Sequence, residues 1–221
     1  MQFIKIPRGT IYQKISDQIK DLFFILFSSL NNKKQVQSFE KKFASYVNIN
    51  YCHSFPLARV AIHSALKSQK FKKDSEILMP PITIKPILDV VIGLGLKPVF
   101  VDLNKNSLCF DEKDLKKKIN KNTKACIITY LFGIVPNIEL LIKLLNKKNI
   151  FTIEDFSQCL NGEYKKKNIG TFAKVGVYSA SSIKPLDTYG GGFLVCKNKE
   201  IYKKINLEKE KLLSCSRLVL F

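Results

Sequence analysis

From Lys33 onward the chain alternates between segments with apolar residues at helical spacing and apolar runs too short to be helices, and that alternation leaves few folds open. "KKQVQSFEKKFASYV" sets Val36, Phe39, Phe43, Tyr46 and Val47 on one helical stripe, and "YCHS" then reads as a short strand. A helix is expected over about Ala58 to Lys70, carrying Val60, Ile62, Ala65 and Leu66, followed by "EILM" as a strand. The series continues with a helix from about Lys85 to Leu94, "KPVFVD" as a strand, a lysine-rich helix after Asp111, "ACIITYLF" as a buried strand, a helix over Ile138 to Leu145, and "NIFTIED" as a strand. "VGVYSA" and "GGFLVC" close the strands, and "KEIYKKINLEKEKLL" is the final helix. Short apolar strands separated by amphipathic helices predict an α/β fold, a three-layer αβα arrangement with a mainly parallel central sheet. Residues 1–32, with "SDQIKDLFFILF", read as an N-terminal helical segment packing on a single large domain that spans 33–221.

At 221 residues and 46% apolar content, the chain can bury a substantial core. The longest uninterrupted apolar run, "LFFILF" at Leu22 to Phe27, is too short to span a bilayer. The opening "MQFIKIPRGT" lacks the order of a signal peptide, so a cytoplasmic protein is expected. The six cysteines are scattered without a CxxC pair, which fits free thiols in a reducing compartment better than a disulfide or zinc framework. A formal charge of +19 raises nucleic acid as a partner, but the lysines lie in short solvated groups and arginine occurs only at Arg8, Arg59 and Arg217. Backbone readers of nucleic acid lean on arginine interleaved with aromatics, so a lysine-rich bias accounts for the charge without such a partner.

In open α/β sheets ligands gather at the carboxyl ends of the strands. Three polar features fall there: Asp155 and Gln158 after "IFTIED"; Ser179, Ser181, Ser182 and Lys184 after "VGVYS"; and "SFPLAR", which follows a strand and opens a helix at Ala58 and Arg59. Each has an ordinary explanation. Asp155 fits a helix N-cap, the serines an ordinary turn, and "YGGGF" a tight entry into the next strand. Together they describe a site for a phosphorylated, cationic, carbonyl-bearing ligand.

These stretches carry a resemblance. "VQSFEKKFASY", "ARVAIHSAL", "ILMPPITI", "LGLKPVFVDLN", "NTKACIITYLFG" and "IEDFSQCLNGEYKKKNIGTFAKVGVYSASSIKPLDTYGGGFLV" occur in the order found in the DegT/DnrJ/StrS sugar aminotransferases, which the chain resembles over about Val36 to Val195. The resemblance implies pyridoxal 5'-phosphate, with Lys184 forming the Schiff base and Asp155 pairing with the pyridinium nitrogen. It further implies that Ser179 and the helix start at Ala58 and Arg59 hold the phosphate, and that Gln158 contacts the ring. Two positions depart from the family pattern: Ile84 stands where an aromatic usually stacks on the cofactor, and Ala58-Arg59 where Gly-Thr or Gly-Ser is usual. The implied reaction moves an amino group from glutamate to a keto group of a nucleotide-linked sugar, for polysaccharide or lipopolysaccharide synthesis. Relatives that remove a hydroxyl carry histidine in place of Lys184. Family members have a second, smaller C-terminal domain, which this chain is expected to lack. That leaves a truncated, non-catalytic remnant or one half of a split enzyme as the alternative, with a homodimer expected once the C-terminal half is supplied.

Overall fold

The computed structural model describes residues 14–27, 32–105, 107–181, 183–188 and 190–212. Seven helices and nine strands follow in chain order among them: α1 (Ile15–Phe27), α2 (Lys33–Val47), β1 (Tyr51–Phe55), α3 (Ala58–Lys67), β2 (Glu76–Met79), α4 (Lys85–Gly93), β3 (Lys97–Phe100), α5 (Glu112–Lys118), β4 (Thr123–Thr129), α6 (Ile138–Lys147), β5 (Phe151–Asp155), the hairpin strands β6 (Glu163–Tyr164) and β7 (Lys167–Asn168), β8 (Val175–Ser179), β9 (Gly192–Cys196) and α7 (Lys199–Lys209). The main sheet runs β1-β9-β8-β5-β4-β2-β3. All neighbours from β8 to β3 are parallel, while β9 is antiparallel to both β8 and β1. Six strands therefore end at one edge of the sheet, and β9 starts there.

The three expected layers are present because adjacent strand residues face opposite sides. Leu78, Cys126, Ile128 and Tyr178 pack with Phe43 and Val47 of α2, Leu115 of α5 and Ile138, Leu141 and Leu145 of α6. Their neighbours Ile77, Met79, Ile127 and Val177 pack with Ala61, Ile62 and Leu66 of α3, Ile87 and Val91 of α4 and Ile205 of α7. Helix starts follow local chemistry: the side chains of Asn32, Asp111, Asn137 and Asn198 each accept a first-turn N–H of α2, α5, α6 and α7.

Two expectations need correction. "ACIITYLF" is not extended throughout. β4 stops at Thr129, and Phe132 at φ 55° and Gly133 at φ 77° turn the chain out of the sheet through a short 3₁₀ turn at Leu131–Gly133. The N-terminal helix does not pack on the core either, since every residue of α1 is exposed. Both sheet faces are already covered by the other six helices, and in its last six residues, Leu22 to Phe27, α1 is apolar all round, so it has no single face to bury. Residues 1–13 and 28–31 of that segment lie outside the described residues, as does Leu213 at the end of the expected last helix.

The close approach of the loop before β8 to β8 itself requires a glycine. A Cβ on Gly176 would lie 2.3 Å from the carbonyl oxygen of Gly170, whereas one on Gly93, near the end of α4, meets nothing within 4 Å. Gly176→Ala is therefore expected to destabilise the chain by about 1–3 kcal/mol through overpacking. Gly93→Ala is expected to be neutral or to stabilise by up to about 1 kcal/mol through helix propensity. Paired urea melts check both, and equal midpoints would contradict the packing described.

Candidate active site

Asp155 is the last residue of β5 and only 6% exposed. Its register partners are Thr129 on β4 and Val177 on β8, so it sits in the middle of the sheet edge where the strands end. Its Oδ1 accepts the N–H of Ser157 at 3.1 Å, a short-range turn that holds the carboxylate in place. Burial pushes the Asp155 carboxyl above the ordinary value of 3.8; the Ser157 bonds and the positive charge of Lys184 pull in the other direction.

Lys184 stands, half-buried, on a loop that folds back on the end of β8. Its N–H donates to Ser181 O at 2.9 Å, the buried Tyr178 hydroxyl accepts the N–H of Leu186 at 3.1 Å, and Thr188 N–H donates to Ala180 O at 3.1 Å. Ala180 N–H donates in turn to Gly191 O at 3.1 Å, so the loop is closed where β8 ends and β9 begins. Ser179 is half-buried and pairs with Gly192, its hydroxyl 3.5 Å from that of Ser181. Ser182 lies outside the described residues.

The third component is the start of α3. Gly191 N–H donates to Pro56 O at 2.9 Å, and Leu57 bridges to Gly191. A Cβ on Gly192 would fall 2.3 Å from the Ala58 nitrogen and 2.5 Å from its Cα. Only glycine lets β9 approach this closely. Leu57, the N-cap, offers no side-chain hydrogen bond, so the first-turn N–H groups at Ala58 and Arg59 open onto the same edge as Ser179, with the helix dipole behind them.

The structure thus brings Asp155, Lys184, Ser179, Ala58 and Arg59 to one edge. Gln158 and Ile84 stand on neighbouring connections. The exposed Gln158 side chain accepts the Phe132 N–H at 2.9 Å and so steadies the turn after β4. Ile84 is the N-cap of α4 and 58% exposed. Gly192 and Tyr178 were not singled out from the sequence. The triple glycine was the available signal for the first; the second depends on a contact with a loop eight residues away that no local pattern announces.

This sheet order, with one reversed strand and a lysine loop beside a buried aspartate, defines the large-domain fold of the pyridoxal-phosphate-dependent transferases. More narrowly, the chain belongs to the DegT/DnrJ/EryC1/StrS aminotransferase family, whose model matches residues 16–215. It is 29% identical over 205 residues to the GDP-perosamine synthase of Escherichia coli O157:H7, covering 92% of this chain and 56% of that enzyme. PseC of Helicobacter pylori, an aminotransferase involved in the biosynthesis of pseudoaminic acid, superposes with a TM-score of 0.85 at 26% identity, covering 96% of this chain and 57% of that one. A sugar aminotransferase of Streptococcus pneumoniae solved in its PLP form superposes at 0.83 with 22% identity, over 91% of this chain and 57% of that one. The chain spans a little over half the length of these relatives.

Asp155 gives a signed expectation. Its folded pKa lies above the unfolded value, so the folded chain holds the proton to higher pH. Stability is then fully present below the ordinary carboxylate value and falls as pH rises through the raised folded value. Asp155→Asn keeps the Oδ1 acceptor and removes the charge. The variant's cofactor-free melting temperature is expected to be at or above that of the parent at neutral pH, with a flatter pH dependence. Thermal melts across the acid range check this, and a large loss of stability at neutral pH would mark Asp155 as a structural cap.

Proposed function

We propose that this chain is the cofactor-binding part of an aminotransferase that takes an amino group from glutamate and passes it to a keto group of a nucleotide-linked sugar, in polysaccharide or lipopolysaccharide synthesis. The observation that carries the reading is the placement at one sheet edge of the buried Asp155, the Lys184 loop folded back on the end of β8, and the uncapped start of α3 lying against Gly192. Pyridoxal 5'-phosphate fits this donor set: an anion-accepting helix start that Gly192 keeps clear, a hydroxyl at Ser179, a loop lysine and a buried carboxylate. When bound, that group supplies an electron sink.

The protein's own residues do the rest. Ala58 and Arg59 N–H groups with Ser179 hold the phosphate. Asp155, poorly solvated, gains a cationic partner in a protonated ring nitrogen and keeps the proton there. Lys184 would hold the cofactor and, with its amine free, would serve as general base and acid. Ile84 would supply an apolar contact to the ring, and Gln158, whose side chain holds the Phe132 N–H, would stand at its side. Histidine at the lysine position would favour dehydration; Lys184 favours transamination.

The exposed apolar side chains of α1, Leu22 to Phe27 among them, support a working unit that buries this helix against further protein, and a homodimer is the proposed form. That same exposure also suits the second reading, in which this chain is a non-catalytic remnant or one half of a split enzyme. The free thiols of Cys52, Cys126, Cys159 and Cys196 suit a reducing compartment, and cytoplasm is the proposed location. Among the described residues no helix is long and apolar enough to cross a membrane.

Borohydride reduction in the presence of pyridoxal phosphate, followed by peptide mass analysis, is expected to label Lys184 and to leave no label at that peptide in Lys184→Ala. Labelling spread over the other lysines would overturn the assignment. Release of 2-oxoglutarate from glutamate separates the enzyme from the remnant, and Asp155→Asn should slow that half-reaction by about a hundredfold or more. Gly192→Ala is expected to weaken cofactor binding by displacing the start of α3, measured as a rise in Kd while the far-ultraviolet spectrum is retained.

A further inference from the structure

Glu154 precedes Asp155 on β5 and faces the opposite side of the sheet, where it is completely buried. Both of its carboxylate oxygens are fully engaged. Oε1 accepts the Tyr130 hydroxyl at 2.5 Å and the Gly170 N–H at 2.9 Å; Oε2 accepts the N–H groups of Phe172 at 2.7 Å and Ala173 at 2.6 Å. Three of the four donors come from one four-residue stretch, a concave nest of backbone N–H groups of the kind that holds anions. Gly170 is at φ +88°, and a Cβ there would lie 2.6 Å from the Phe156 ring, so the loop reaches the carboxylate only because that residue is glycine. Tyr130 itself is fully buried directly after β4.

A buried carboxylate is an expensive way to fill space, and an apolar side chain would occupy it without the desolvation penalty. Burial does push the Glu154 carboxyl up, and the bonds from Tyr130, Ala173, Gly170 and Phe172 oppose that rise. What the carboxylate achieves is connection. It ties the exit of β4 and the chain entering β8 to the residue next to Asp155, while β8 leads directly to Ser179 and the Lys184 loop.

Resting on the aminotransferase reading, we propose that Glu154 is a positioning residue: it clamps Tyr130 and the 170–173 loop to β5 so that Asp155 and the strand exit carrying Ser179 and Lys184 keep one fixed separation. It does not touch the cofactor; it acts through Asp155 and β8.

The test uses the full chain with pyridoxal phosphate and four proteins: the parent, Glu154→Gln, Tyr130→Phe and Asp155→Asn. Melting temperature without cofactor, cofactor Kd, and the pH midpoint of the visible band of the bound cofactor are measured on each. Glu154→Gln offers an amide N–H₂ where an acceptor is needed. It is expected to weaken cofactor binding by about tenfold or more, as loss of an outer partner does elsewhere, and to move the pH midpoint in the same direction as Asp155→Asn. Tyr130→Phe, which keeps the volume and all the backbone bonds, should do the same to a smaller extent. A folded Glu154→Gln chain with the parent's Kd and midpoint overturns the proposal, whatever its melting temperature, because a purely structural carboxylate would change stability alone. If Glu154→Gln does not fold, Tyr130→Phe decides on the same two readouts. If the parent itself takes up no pyridoxal phosphate, the reading beneath the proposal fails, and that failure shows in the parent before any variant is compared.

Discussion

The backbone ladder between β5 and β8 sets the geometry of everything near the site. It places Asp155 opposite Val177, two residues before the strand end at Ser179, and parallel pairing carries that offset into the loop that holds Lys184. A slip of one residue would turn Asp155 to the other face and bring Glu154 into the site. The glycine at position 176 allows the preceding loop to approach this ladder closely, and the nest around Glu154 then secures the register from the face opposite Asp155.

Two adjacent carboxylates are buried here under different terms. Glu154 is surrounded by four donors within the chain. Asp155 has the Ser157 bonds and the positive charge of Lys184, and burial raises its carboxyl as it does that of Glu154. Neighbours on one strand thus divide two tasks. The fold engages both oxygens of Glu154, while Asp155 stands at the strand end with its Oδ1 on the Ser157 N–H.

Most of the fold was legible because apolar spacing is a local property. The strands at Tyr51, Glu76, Phe151, Val175 and Gly192 and the helices between them follow the periodicity directly, and the places of Asp155 and Ser179 at strand ends were legible because they close apolar runs. What was not legible depends on contacts between distant residues. Nothing near Tyr130 states that its hydroxyl meets Glu154, 24 positions on, and the break in β4 after Thr129 rests on the positive φ of Phe132 and Gly133. Nothing near Gly192 states that it lies against Ala58. The misplaced expectation for α1 has a similar origin. Apolar content announces that a helix seeks burial, but whether a sheet face is still open for it depends on six other helices.

The reversed strand also orders events in time. β1 stands at the end of the sheet with β9 as its strand neighbour, so Tyr51–Phe55 has no ladder to join until residues 192–196 have left the ribosome. The parallel strands β2, β3, β4, β5 and β8 all find their partners within residues 76–179, ahead of β9 in the chain. The start of α3 gains its close neighbour in β9 only when Gly192 lies against Ala58. Closure of a loop of about 140 residues is therefore the step that completes the binding edge, a late and slow event in the folding of a chain synthesised from its N-terminus.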